Sequence, residues 1–218
     1  AGCTALLVCG FGIRDGIQDI INNQVGTIMH YDVIVRMKPD STQEDINQTQ
    51  AYINNIEGGS TIALAMDLNA LVVSDAKSDT MSVQVTVPQH PEEFAQMVSM
   101  RDRVSEEPLT FDDDSVLISE KLATLYQVGV GDQIIVYEQD TVGNRTGEGY
   151  RFTITGVTEN YVYHHLYVGN NVWREVMQEE PEYRSFYCAI PKSTELRSTI
   201  QSDLHDIDAV EAVAYSHD

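Results

Sequence analysis

Residues 1–13, AGCTALLVCGFGI, contain no charged side chain. Such a run constrains everything that follows it, because a bilayer crossing takes about 20 predominantly apolar residues and a water-facing surface has no use for an uncharged strip. The segment reads as the outer half of a membrane span. Charge begins at Arg14 and Asp15, and behind it Ile17, Ile20, Ile21, Val25 and Ile28 fall near one helical stripe. One helix is therefore expected to run from the membrane into the folded part. Two other readings stay open on these residues alone: a buried N-terminal core helix, and a signal-peptide remnant. For the latter, Leu6-Leu7-Val8-Cys9 has a faint lipoprotein-like pattern, without the small residue before the cut or a basic flank.

Charge narrows the partners. The chain carries 34 acidic against 13 basic residues, a formal net charge of -21. Nucleic acid binding depends on Lys and Arg displacing counterions from phosphates, so that class is excluded. An anionic leaflet would repel the same surface, which makes the N-terminal span, not surface adhesion, the expected tie to the membrane. Three cysteines leave no full disulfide set. Cys3 and Cys9 sit in the apolar run on different helix faces, Cys188 stands in a strand-like segment, and no C-x-x-C spacing is present. No second long apolar segment follows, so residues from about 15 onward are expected to fold outside the lipid.

Periodicity then sets the elements. Residues 31–37 (YDVIVRM) alternate as a half-buried strand. Ser41 with Glu44 is the expected capping box of a helix, whose buried side is Ile46, Ile53 and Ile56, ending at Gly58-Gly59. Residues 61–74 read as one strand or two. Residues 82–87 form a cleaner strand with Val83, Val85 and Val87 inward, and residues 91–100 a short helix burying Phe94, Met97 and Val98. The acid-rich stretch 101–114 reads as an exposed connection. A strand over 116–118, a helix opened by Ser119 and closed by a left-handed Gly129, and a turn at Gly131-Asp132 come next. Strand 133–137 then pairs through a polar loop at residues 144–147 with strand 151–157. Helix 171–178, strand 185–190, helix 194–204 and strand 210–215 complete the chain. VRMKPDSTQEDI from Val35 and CAIPKSTELRSTI from Cys188 share the order strand, proline, Ser-Thr cap, helix. They suggest two β-α-β halves, one at each end of the sequence, pairing in one sheet around an inserted middle.

Several groups invite chemical readings that their spacing does not support. His164-His165 are strand neighbours, which point to opposite faces and chelate one ion poorly. Asp112-Asp113-Asp114 lacks the alternating ligands and turn glycine of a calcium loop. Ser216-His217-Asp218 are consecutive, whereas a hydrolase triad is assembled from separate elements. Ser119-Glu120-Lys121 lacks the S-x-x-K spacing of a lysine-activated serine, and Gly10-Phe11-Gly12 lacks the third glycine of a phosphate loop. Tyr161, Tyr163, Tyr167 and Trp173 form an aromatic cluster. It either offers a contact surface, since such rings bury large area at small entropic cost, or closes the core of the insert.

Residues 116–136 (VLISEKLATLYQVGVGDQIIV), followed by 151–168 (RFTITGVTENYVYHHLYV), resemble the extracytoplasmic core domain of FtsX-like and MacB-like ABC transporter permeases, and GCTALLVCGFGIRDGI resembles the outer end of that family's first span. The resemblance implies an α+β fold in which a porter-like subdomain, built from both ends of the chain, carries a small β-rich insert. The corresponding division is 1–30 as span and connecting helix, 31–109 and 171–218 as the two parts of the α+β subdomain, and 110–170 as the insert. It implies a domain on the extracytoplasmic face of the cell membrane, with no enzymatic site, cofactor or metal. A cytoplasmic ABC ATPase would be reached through the membrane spans, and a second permease copy or an accessory extracytoplasmic protein would be the outer partner. The expected role is to couple span movement to cargo or accessory-protein engagement; a single-anchor receptor or adhesin is the alternative, and a secreted hydrolase a third.

Overall fold

The computed structural model describes residues 24–57, 61–191 and 193–216. The apolar opening, Ile17, Ile20, Ile21, Cys3, Cys9, the Gly58-Gly59 turn and His217-Asp218 lie outside the described residues. Alternation over VIVRM produces strand β1 (Val33–Met37), antiparallel to β9 (Ser185–Ala189) on one side and β10 (Val210–Tyr215) on the other. Next to β9 lies β2 (Thr61–Val73), one unbroken strand. Helix α1 (Gln43–Asn54) leads from β1 to β2, and helix α5 (Thr194–His205) from β9 to β10. The spatial order β10-β1-β9-β2 thus interleaves two β-α-β halves, one from each end of the chain.

The sheet continues from β2 through β3 (Met81–Pro88), β8 (His165–Val168), β4 (Val116–Ser119) and β7 (Gly156–Thr158), with β3/β8 and β4/β7 parallel. Strand β5 (Gln133–Gln139) pairs with the end of β2 and with β6 (Arg145–Thr153), which forms the hairpin of the β-rich insert. Helices α2 (Pro91–Met97), α3 (Glu120–Tyr126) and α4 (Asn170–Met177) are short. No helix among the described residues is long and apolar enough to cross a membrane.

Side-chain parity assigns the two faces. Alternate residues of a strand point to opposite sides, and β2 sends Ile62 and Leu64 to a cluster under α1 and α5, then Ala70 and Val72 to a second cluster on the same face. The first holds Val35, Ile53, Phe186, Ile200 and Leu204; the second holds Val85, Ile118, Leu122, Phe152 and Trp173. The opposite parity, Ala63 and Ala65 of β2 with Leu117, Tyr167 and Tyr187, meets Phe94 and Met97 of α2 and Ile28. Phe94 is fully buried there, a contribution of about 2–3 kcal/mol by area. The helices α1, α3, α4 and α5 therefore cover one face, leaving the other only partly covered.

The helix ends depart from expectation in three places. The capping box of α1 is one residue later than predicted: Thr42 is the N-cap and Asp45, not Glu44, reaches back to its N–H (2.7 Å). Ser41 instead donates to the Lys38 carbonyl, its hydroxyl also taking a bond from Arg184. Ser119 stands at the N-cap of α3 without capping it, because its hydroxyl takes the His165 N–H at 3.3 Å. Helix α3 is closed by Gln127 in the left-handed region (φ 55°), ahead of Gly129; the turn glycine with positive φ is Gly131 (φ 90°). Strand β6 also begins at Arg145, inside the expected loop, because Asp140 gathers the amides of Val142 and Asn144 into a tighter turn.

Candidate functional site

Two features of the partly covered face bear on function: a junction built by the segment leading into β1, and a groove beside it. Residues Gln24–Ile28 form a single π-helical turn, a rare geometry that is frequent at functional sites. The carboxamide of Gln24, only 4% exposed, donates to Asn160 Oδ1 (2.8 Å) and accepts from the N–H groups of Tyr161 (2.7 Å) and Val162 (3.3 Å). Asn160 then donates to the carbonyls of Val162 and Tyr163. One buried side chain thus satisfies the polar groups of a loop that sits far along the chain. On its other side the same segment is tied to the end of α2: His30 N–H to the Met97 carbonyl and Ser99 N–H to the Ile28 carbonyl, both 2.8 Å, with the His30 ring against the Ser99 hydroxyl at 2.7 Å.

The base of the loop holds the most buried ion pair among the described residues. Glu159, 3% exposed, meets Arg101 Nε at 2.5 Å and accepts from the Tyr161 hydroxyl. That bond, then partial burial, raises the Tyr161 phenol above its usual range. The stretch 101–114 is thereby tied down at Arg101, and again at Phe111, which is buried. Its acidic triplet is structural: Asp113 accepts from the Asn170 side chain (2.7 Å) and Asp114 from that of Asn171 (2.9 Å), holding the start of α4. Gly169 permits this approach, since a Cβ there would lie 2.3 Å from the Asp113 carbonyl oxygen.

The aromatic residues singled out from the sequence do not form one cluster, although Tyr161 packs against the core that holds Tyr167. Tyr167 (4% exposed) packs among Phe94, Phe111 and His165, and Trp173 (3% exposed) stacks on Phe152 in the other face's core. Tyr161 is half-buried over Glu159, while Tyr163 is 79% exposed at the loop tip, with φ 61°. A non-glycine residue held at positive φ is uncommon and is associated with functional loops.

Beneath this loop runs a groove of about 820 Å³ that crosses the partly covered face and is bordered by Tyr31, Arg36, Gln84, Val162, His165 and Tyr187, among others. Its aromatic wall is braced by Tyr31 edge-on to Tyr187 (5.0 Å) and by the Tyr187 hydroxyl on both oxygens of Asp67, which also takes the Thr86 hydroxyl at 2.7 Å. His164 precedes β8 and His165 opens it, so strand alternation does not separate them and both rings border the groove. Burial lowers the pKa of both; for His165 it reaches about 4, although the Asp67 carboxylate and the Val162 carbonyl oppose the shift. In both the shift favours the uncharged ring. No group of three potential metal ligands occurs among the described residues. Ser216 donates to the Tyr31 carbonyl (2.9 Å), a link between β10 and the segment before β1. The groove and the Gln24 junction escaped sequence reasoning, because a lone glutamine and residues scattered over six strands leave no local pattern.

The MacB-like periplasmic core domain family matches residues 1–212. The chain belongs to this family, which places it among the extracytoplasmic domains of ABC-type transporter permeases. Among solved structures, the extracellular domain of the noncanonic ABC-type transporter YknZ from Gram-positive bacteria is similar at 14% identity and a TM-score of 0.48, over 84% of this chain and 98% of that one. The periplasmic region of MacB from Actinobacillus actinomycetemcomitans is similar at 11% identity and a TM-score of 0.44, over 90% and 94% of the two chains. A domain of a permease protein from Porphyromonas gingivalis gives 15% and 0.38, over 85% and 88%. Comparison with curated proteins gave no match.

Proposed function

We propose that this domain is a non-catalytic coupling module: movement of a membrane-embedded N-terminal segment is passed to the outer surface of the domain through Gln24. The observation that carries the reading is the buried carboxamide bonded to three groups of the 160–162 loop. A rigid connection of this kind transmits displacement, whereas a Gly- or Pro-rich tether would absorb it. The displaced element is the loop bearing Tyr161 and exposed Tyr163, which we assign to contact with an outer partner, either a second permease copy or an accessory extracytoplasmic protein. Tyr167 supports that surface from within, whereas Trp173 belongs to the core on the opposite face. In this reading residues 31–109 and 171–218 act as one α+β body carrying 110–170, anchored through residues 1–30, and ATP is hydrolysed by a cytoplasmic ABC ATPase across the membrane.

The test is Gln24→Ala in the full transporter with its ATPase. The exchange of the Tyr161 and Val162 amides should accelerate, and transport should fall several-fold relative to ATP hydrolysis. A loosened loop with undiminished transport would overturn the coupling role, since the connection would then be structural only. A single-anchor receptor has no ATPase at all, so ATP-independent activity would favour that alternative.

A further inference from the structure

We propose that the groove on the partly covered face binds a long-chain carboxylate amphiphile, with its apolar body along the groove and its carboxylate on Arg36. The cavity, about 820 Å³, falls within the roughly 300–1,000 Å³ typical of small-molecule sites. Its chemistry is at odds with the rest of the chain. Although the protein has 34 acidic residues, none of the described residues bordering the groove is Asp or Glu, and the single permanently charged one is Arg36.

Arg36 is also unusual among the described arginines. Arg101, Arg103, Arg151, Arg174, Arg184 and Arg197 each meet a carboxylate, and Arg145 lies over the Tyr137 ring. Arg36, exposed on β1, has no carboxylate or ring partner of this kind among the described residues. Its planar fork matches a carboxylate bidentately, a geometry that an ammonium or hydroxyl head cannot use. Asp67, a carboxylate on this face of the sheet, does not border the groove, and both its oxygens are engaged by the Tyr187 and Thr86 hydroxyls. Along the groove Met29, Ile34, Val98 and Val162 offer apolar contact. Burial disfavours the charged form of both histidines there. A trough whose described lining is mainly apolar, with one cation unpaired among the described residues and no carboxylate among them, selects an apolar ligand with one negative end.

This site does not depend on the coupling role and is tested on the chain itself. Calorimetric titration would use oleate, oleyl alcohol and oleylamine below their aggregation concentrations, with acetate as the head group alone. Oleate should bind at one site about tenfold or more tighter than either analogue, the difference expected of one charge-assisted bidentate contact, and acetate should not bind measurably. Arg36→Gln should bring oleate down to the affinity of the alcohol, and Arg36→Lys should recover part of the loss. If Arg36→Gln unfolds, protection of Arg36 from phenylglyoxal by oleate in the unaltered chain gives the same answer. Equal binding of the three head groups, no oleate binding, undiminished oleate affinity in a folded Arg36→Gln variant, or no protection of Arg36 would each overturn the proposal.

Discussion

Glu159 is a carboxylate at 3% exposure, and its ion pair with Arg101 contrasts with that of Arg103 and Glu120, whose side chains are 50% and 38% exposed. Removing one partner of a buried pair strands the other charge, whereas solvent screens an exposed pair. Arg101→Met should therefore lower unfolding stability by about 2–3 kcal/mol, near the lower end for a buried pair because the Tyr161 hydroxyl still serves Glu159. Arg103→Met should leave the urea midpoint within error of the parent. Equal effects of the two substitutions would mean that Glu159 does not need its cation. The aromatic residues make a related point. Tyr161, Tyr163, Tyr167 and Trp173 look alike as a sequence cluster, yet one lies at a loop tip, one over a carboxylate and two in cores on opposite faces of the sheet. Composition signalled aromatic content, but long-range packing decided which ring meets water.

The helices display how local codes compete. Ser41 and Thr42 both fit an N-cap pattern, and the sequence favours Ser41 because Glu44 stands three residues on. Arg184, from the far end of the chain, engages the Ser41 carbonyl and hydroxyl, leaving Thr42 to cap and Asp45 to reply. Thr42→Ala should accordingly cost about 1 kcal/mol, while Glu44→Ala, exposed and bonded only to the Gln48 side chain, should be close to neutral in denaturant titrations. The reverse ranking would restore the earlier register. Most strand and helix identities, and the pairing of the two β-α-β halves, were legible because apolar alternation and the repeated Pro–Ser–Thr entry are local signals; the expected strand 151–157 instead breaks after Thr153, and residues 156–158 form a separate strand beside β4. The caps at Ser119 and Gln127 were not: His165 claims the hydroxyl of the first, and the second adopts a left-handed backbone without being glycine. The groove was illegible for the same reason, since its walls come from strands that only the tertiary fold makes neighbours.

Strand β2 supplies side chains to all three clusters: Ile62 and Leu64 to one, Ala63 and Ala65 to another, Ala70 and Val72 to the third. No cluster can lose its order without disturbing a strand the others need. Unfolding should thus be one cooperative transition, with calorimetric and van't Hoff enthalpies in agreement; two resolved transitions would show that the insert is independent of the rest. Strand β1 has a different consequence. Val33 pairs in register with Cys188 on one side and Tyr215 on the other, so neither neighbour exists until the chain has been synthesised far past β1. Such non-local pairing is slow to form and leaves backbone groups bare in the interim. A nascent chain stalled before β9 would expose both flanks of β1 at once, making the ribosome and the export machinery, more than the finished fold, the place where this domain is most vulnerable to aggregation.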